Sequence, residues 1–69
     1  MKIDAEGAEL MLLEGARKTI ETFHPKIILS THGERMHYQC IQWLIDLGYR
    51  LEPIPAGMSL DETRSVLAV

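Results

Sequence analysis

The sequence predicts a small two-layer α/β fold of strand–helix–strand–helix–strand–strand order, and three observations carry it. Apolar residues recur at steps of three and four in two separate segments, which is the spacing of a helix stripe turned toward a core. Between these segments lies a short unbroken apolar run, Ile27-Ile28-Leu29, too brief for a helix. Two further short runs, 49–54 and 65–69, close the chain. Strands alternating with helical segments imply βαβ crossovers, which are almost always right-handed, so both helices are expected on one face of the sheet.

Met1 to Asp4 reads as a short strand. A helix is expected from Glu6 or Gly7 to about Phe23, with Leu13, Ala16, Ile20 and Phe23 on its buried stripe. Glu14–Lys18 and Arg17–Glu21 are i,i+4 pairs on the opposite, solvated face. Pro25 ends the segment, because a residue before proline is kept out of the helical region, and this makes His24 the boundary. The run Ile27-Ile28-Leu29 has the pattern of a strand covered on both faces. A second helix is expected from Glu34 to Leu47, with Met36, Cys40, Trp43 and Leu47 on one face and Ile41, Leu44 and Ile45 widening the stripe. Gly48 follows where a left-handed cap is needed. Tyr49 to Ile54 reads as a third strand, and Pro53, which has no N–H to donate, confines it to an edge or a strand end. Residues 55–64 form a polar turn region, and Ser65 to Val69 form the fourth strand.

Sixty-nine residues make one domain, 1–69. A chain of this size buries only roughly 60% of its unfolded surface. Cys40 is the one cysteine, so no internal disulfide forms, and its place inside a helix marks a buried thiol. A net charge of −3 and a pI near 5.5 give no basis for nucleic-acid binding. No signal peptide and no apolar run of membrane-spanning length is visible, and the expected location is the cytoplasm.

Chemistry-bearing residues gather at two strand ends. Asp4, Glu6 and Glu9 surround Gly7 after the first strand, and Ser30, Thr31 and His32 follow the second. In open α/β sheets the crevice at the carboxyl ends of the strands is where ligands bind. Carboxylates and an imidazole there can serve as a base or hold a metal. A structural role is also open to each: Asp4 as a helix cap, Glu6 and Glu9 as complements to a positive helix end. An oxygen-ligand cation bridging Asp4 and Glu6 lacks ligand-loop spacing. His24, His32 and His37 lack the close pairing of a zinc site, so no metal is expected. Trp43 and Tyr49 read as packing residues, and Met11, Met36 and Met58 as gap fillers.

The opening Lys2-Ile3-Asp4-Ala5-Glu6-Gly7-Ala8-Glu9 closely resembles the Lys-Ile-Asp-x-Glu-Gly-Ala-Glu signature of the FkbM-type methyltransferases. Leu13-Glu14-Gly15-Ala16, Pro25 to Leu29, His32, and Trp43-Leu44 through Tyr49 follow in the family's order and at similar spacing. The resemblance implies methyl transfer from S-adenosylmethionine to a hydroxyl of a small molecule or sugar. It makes the chain the C-terminal half of a Rossmann-like domain, its strands the fourth to seventh of the sheet, with the last antiparallel and inserted beside the second. Asp4, Glu6 and His32 become the catalytic candidates at the acceptor side. The glycine-rich loop that holds the cofactor is not in the chain: Gly7, Gly15, Gly33, Gly48 and Gly57 include no G-x-G-x-x-G arrangement. Cofactor-binding residues are therefore unassigned, and the chain is expected to be inactive alone. The uncovered sheet edge and face predict a homo-oligomer. The alternative is a non-enzymatic α/β module that self-associates or binds a partner, and a metal-dependent hydrolase ranks last.

Overall fold

The computed structural model describes residues 1–69 and contains β1 (Lys2–Asp4), α1 (Glu9–Gly15), α2 (Arg17–Phe23), β2 (Ile27–Ser30), α3 (Glu34–Asp46), β3 (Leu51–Ile54) and β4 (Ser65–Ala68). The four strands form one mixed sheet in the order β1-β2-β4-β3. β1 and β2 are parallel, and β4 lies antiparallel between β2 and β3. β1, β2 and β3 consequently run in one direction, and their carboxyl ends share one edge. The chain end thus returns to the middle of the sheet, beside β2, where both its neighbours pair with it.

Register separates the two faces. Ile3, Leu29, Val66 and Pro53 form one cross-strand row, and Ile27, Ala68 and Leu51 form a second. Ile3, Leu29, Val66, Ile27 and Ala68 are buried in one cluster with Leu13, Ile20, Cys40, Ile41, Leu44 and Tyr49, so the helices cover this face. The opposite face carries the rows Lys2-Ile28-Leu67-Glu52 and Asp4-Ser30-Ser65-Ile54. No helix covers it, and Ile28 is 42% exposed. The apolar run at β2 is therefore covered on one face only, because both crossovers place their helices on the same side.

The first helical segment departs from expectation in three ways. It starts at Glu9, since Glu6 (φ 45°) and Gly7 (φ 95°) adopt left-handed backbone and no helix can begin before them. It is two helices, because Ala16 (φ −96°, ψ 8°) leaves helical geometry and its N–H contacts both Leu12 O and Leu13 O. The buried stripe ends at Ile20, and Phe23 is 75% exposed: α2 stops there, and His24 (φ 44°) turns the chain left-handed into Pro25. Of the two surface pairs only Arg17–Glu21 forms, at 2.7 Å.

His24 illustrates how the fold holds an unfavourable conformation. A non-glycine residue in left-handed backbone costs roughly 1–2 kcal/mol. Its N–H donates to Ile20 O at 2.8 Å, and its ring stacks on Tyr49 at 3.9 Å between centroids. The Tyr49 hydroxyl donates to Pro25 O at 2.6 Å. Tyr49 is thus a packing residue before β3, which begins at Leu51 rather than Tyr49.

α3 buries Cys40, Ile41 and Leu44, while Met36, Trp43 and Leu47 pack at the margin and Ile45 is exposed. Its end is a Schellman motif: Tyr49 N–H donates to Leu44 O and Gly48 N–H to Ile45 O, with Gly48 at φ 89°. No helix is long and apolar enough to cross a membrane.

Leu44→Ala is expected to cost about 2–5 kcal/mol, the range for an aliphatic side chain lost from a closed core. Phe23→Ala, on an exposed position, should stay within about 0.5 kcal/mol of the parent. Urea denaturation of both variants checks the contrast, and equal losses would mean that the buried stripe continues to Phe23.

Candidate functional site

Asp4 pairs in register with Ser30 at the ends of two adjacent parallel strands. The segments that follow, Ala5–Ala8 and Thr31–Gly33, are therefore neighbours on the same sheet edge. Glu9, the first residue of α1, joins them. Its side chain is fully buried. One carboxylate oxygen, Oε2, accepts the Ala5 N–H at 2.9 Å and the Gly7 N–H at 3.0 Å, and the other, Oε1, accepts the His32 N–H at 3.3 Å.

The local sequence explains this. A turn can aim its backbone N–H groups at one point and make an anion-binding concavity. The turn at Glu6 and Gly7 does so with the Ala5 and Gly7 N–H groups, and the anion is the Glu9 carboxylate. Burial by itself raises the Glu9 pKa, but the N–H bonds from Gly7, Ala5 and His32, with the His32 ring, outweigh it and hold the carboxyl below its usual 4.5. The charge is felt across the core: burial first, and the Glu9 charge second, push the Cys40 thiol up to about 11.

His32 lies between two carboxylates. Its Nδ1 is 3.4 Å from Glu9 Oε2, and its Nε2 is 3.7 Å from Asp4 Oδ1. The imidazole and the Asp4 carboxylate are both about half exposed, 42% and 50%, at the open face of the sheet. An Asp–His–Glu arrangement of this kind can hold a neutral imidazole in place and stabilise it once it is protonated.

The structure thus brings Asp4 and His32 together and adds Glu9. Glu6 stays exposed in the loop and makes no hydrogen bond or ion pair with either. Asp4 does not cap the helix, since the cap position is Ala8 and no side chain bonds there. Glu9, read from the sequence as one of the charges at a helix end, does stand in the first turn of α1 and is also the buried centre of the cluster. The available signal was Gly7, whose left-handed turn aims N–H groups inward. No group of three or more His, Cys, Asp or Glu side chains is arranged to hold a metal ion.

Ser30 and Thr31 are committed elsewhere. Ser30 Oγ bonds Ser65 Oγ across the open face at 3.0 Å. Thr31 Oγ1 is 2.7 Å from His37 Nδ1, and His37 Nε2 is 2.6 Å from Leu60 O. A carbonyl only accepts, so Nε2 carries the hydrogen and Nδ1 accepts from the Thr31 hydroxyl. This chain ties the end of β2 to the 55–64 segment. A groove of about 720 Å³ lies beyond it, between α3 and that segment, lined by Tyr38, Ile41, Ile45 and Leu60 together with Glu34 and Asp61. Thr31 and Gly33, on either side of His32 in the chain, line this groove, and His32 does not.

A family model described as Methyltransferase FkbM domain matches residues 1–51. The match spans β1 through α3 and includes Asp4, Glu6, Glu9 and His32. No curated protein and no solved structure gives a significant match.

The lowered Glu9 pKa sets a pH dependence. Between the lowered value and the ordinary 4.5, the unfolded chain binds more protons than the folded one. Stability therefore rises with pH across that interval, is fully present above it, and is lost as acid protonates the folded carboxylate. Glu9→Gln, which keeps the shape but pairs an amide N–H₂ with backbone donors, should cost about 1–3 kcal/mol at neutral pH and flatten this acid limb. Urea denaturation between about pH 3 and 7 reads both effects, and an unchanged acid limb in the variant would assign the dependence to another group.

Proposed function

The chain belongs to the FkbM methyltransferase family, which its residues 1–51 match, and from that premise we propose that it supplies the acceptor side of a methyl-transfer site for a hydroxyl on a small molecule or sugar. Family members are in general S-adenosylmethionine-dependent. The observation that carries the reading is His32, half exposed between Asp4 and Glu9 at adjacent strand ends.

A hydroxyl oxygen that gains a carbon substituent must give up its proton, and a positioned imidazole is the side chain best matched to take it near neutral pH. In this reading His32 Nε2 accepts the proton, and Asp4, 3.7 Å away, stabilises the charge that results. Glu6, exposed in the same loop, offers a carboxylate to the acceptor's other hydroxyls. The strand-end loops hold the acceptor at a fixed distance from these groups, which lowers the entropic part of the barrier.

S-adenosylmethionine is not held by these residues. The Ala5 and Gly7 N–H groups, the backbone donors a ligand carboxylate would use at this turn, are already taken by Glu9. The five glycines form no G-x-G-x-x-G loop. The chain is accordingly inactive by itself.

An amide correlation spectrum of the labelled chain, recorded during titration with small sugars and polyols and then with S-adenosylmethionine, tests this. Shifts confined to Asp4–Glu9 and Thr31–His32 are expected with the hydroxylated compounds, and are lost in His32→Ala, while labelled methyl is not transferred by the chain alone. Shifts gathered elsewhere, or none from a well-dispersed spectrum, overturn the acceptor assignment, and turnover by the chain alone overturns its inactivity.

A second reading, a self-associating α/β module, is favoured by the bare sheet face, where Ile28 and Ile54 are about two-fifths exposed, and by the unpaired outer edge of β1. Sedimentation velocity over a concentration series should then show growth in mass; a monomer at every concentration removes this reading.

A further inference from the structure

We propose that Glu9 is a positioning residue that fixes the tautomer and the orientation of His32, a step that rests on the reading of His32 as the proton acceptor. Three observations lead there. The Glu9 carboxylate is held in place: Oε1 holds the His32 N–H, Oε2 holds the Ala5 and Gly7 N–H groups, and rotation would leave part-buried donors unpaired. An ionised carboxylate accepts and never donates, and Nδ1 stands at ion-pair distance from it, 3.4 Å, so hydrogen on Nδ1 is the arrangement this carboxylate favours. The competing charge is weaker in its pull. Asp4 faces Nε2 from 3.7 Å and is 50% exposed, whereas Glu9 is closer and has no exposure. Attraction falls with distance and with solvent screening, so the buried carboxylate decides where the single proton of the neutral ring resides.

The consequence is directional. With hydrogen fixed on Nδ1, the lone pair of the neutral ring is on Nε2, on the half-exposed Asp4 side where an acceptor hydroxyl arrives. The reverse tautomer would aim the lone pair at the buried carboxylate and leave the open side with a donor. Asp4 acts on the product of proton uptake, when Nε2 also carries hydrogen and the ring is cationic between two carboxylates. Glu9 acts before that, by choosing which nitrogen is free. The same carboxylate holds the His32 backbone N–H, so the ring and the chain that bears it are fixed together.

The test is a long-range proton–nitrogen correlation spectrum of the imidazoles in nitrogen-labelled protein, recorded at a pH where the rings are neutral. His37, with hydrogen on Nε2, provides an internal contrast of the opposite tautomer. Wild-type His32 is expected to show Nδ1–H in several-fold excess. Asp4→Asn should leave that excess in place, and Glu9→Gln should abolish it in favour of Nε2–H. A wild-type ring with hydrogen mainly on Nε2, a change in Asp4→Asn as large as in Glu9→Gln, or no change in Glu9→Gln overturns the proposal. If Glu9→Gln does not fold, the wild-type and Asp4→Asn spectra still decide it. Because the readout needs neither acceptor nor methyl transfer, failure of the acceptor titration and failure of the tautomer assignment are separate results.

Discussion

The buried Glu9 carboxylate is the constraint on which the strand-end region depends. An ionised carboxylate removed from water is expensive unless it is paired and hydrogen-bonded. Here three backbone N–H groups and an imidazole meet it. The relation works in both directions. Without the charge, the Ala5, Gly7 and His32 N–H groups would be part-buried donors lacking an acceptor, and the left-handed Glu6–Gly7 turn would lose the contact that offsets its backbone cost. Two loops that are 23 residues apart in sequence are joined through this one side chain. Its charge also acts on Cys40, where, second to burial itself, it favours the neutral thiol.

That arrangement requires the sheet order. β1 and β2 must be parallel neighbours for the segments after them to meet, and β4 must enter between β2 and β3 for the end of the β3–β4 connection to lie beside the end of β2. Thr63 then closes the connection: its hydroxyl donates to Ile54 O at 2.6 Å and accepts the Ser65 N–H at 3.2 Å. Thr31 takes up the other side by donating its N–H to Arg64 O at 2.8 Å. The β2 end is thus gripped by Glu9 through His32 and by the 63–64 segment through Thr31, on successive residues.

The parts legible in the sequence are those written in local spacing or in a single decisive residue. Leu13 and Ile20, Cys40 and Leu44, the Gly48 cap and the His24–Pro25 stop follow from helix period and steric exclusion, and the structure places them accordingly. The central place of β4 came with the family resemblance, because strand order is set by pairing between distant segments. The break at Ala16 had its one signal in Gly15, a poor helix former, and the three-four spacing that continues across it masked that signal. The one-sided cover of Ile28 was hidden for a related reason: an unbroken apolar run looks the same whether one face or both are packed. At the site, Asp4 and His32 were visible as chemistry at strand ends. Glu9 was not separable from Glu6 by residue type, and only three-dimensional burial, complete for Glu9 and absent for Glu6, distinguishes them.

The three histidines show why burial and partners, rather than residue type, assign a role. His24 uses its ring as a flat surface against Tyr49, in service of a strained turn. His37 has both nitrogens engaged at short range by Thr31 and Leu60, so it has no lone pair to offer a ligand. His32 has one nitrogen turned to a buried charge and the other toward a half-exposed one, with solvent beside it. Proton transfer needs a nitrogen that is oriented yet unoccupied; His37 has none free, and of the other two rings only His32 has a carboxylate facing each nitrogen. The orientation comes from the side that water does not reach, and the vacancy lies on the side that it does.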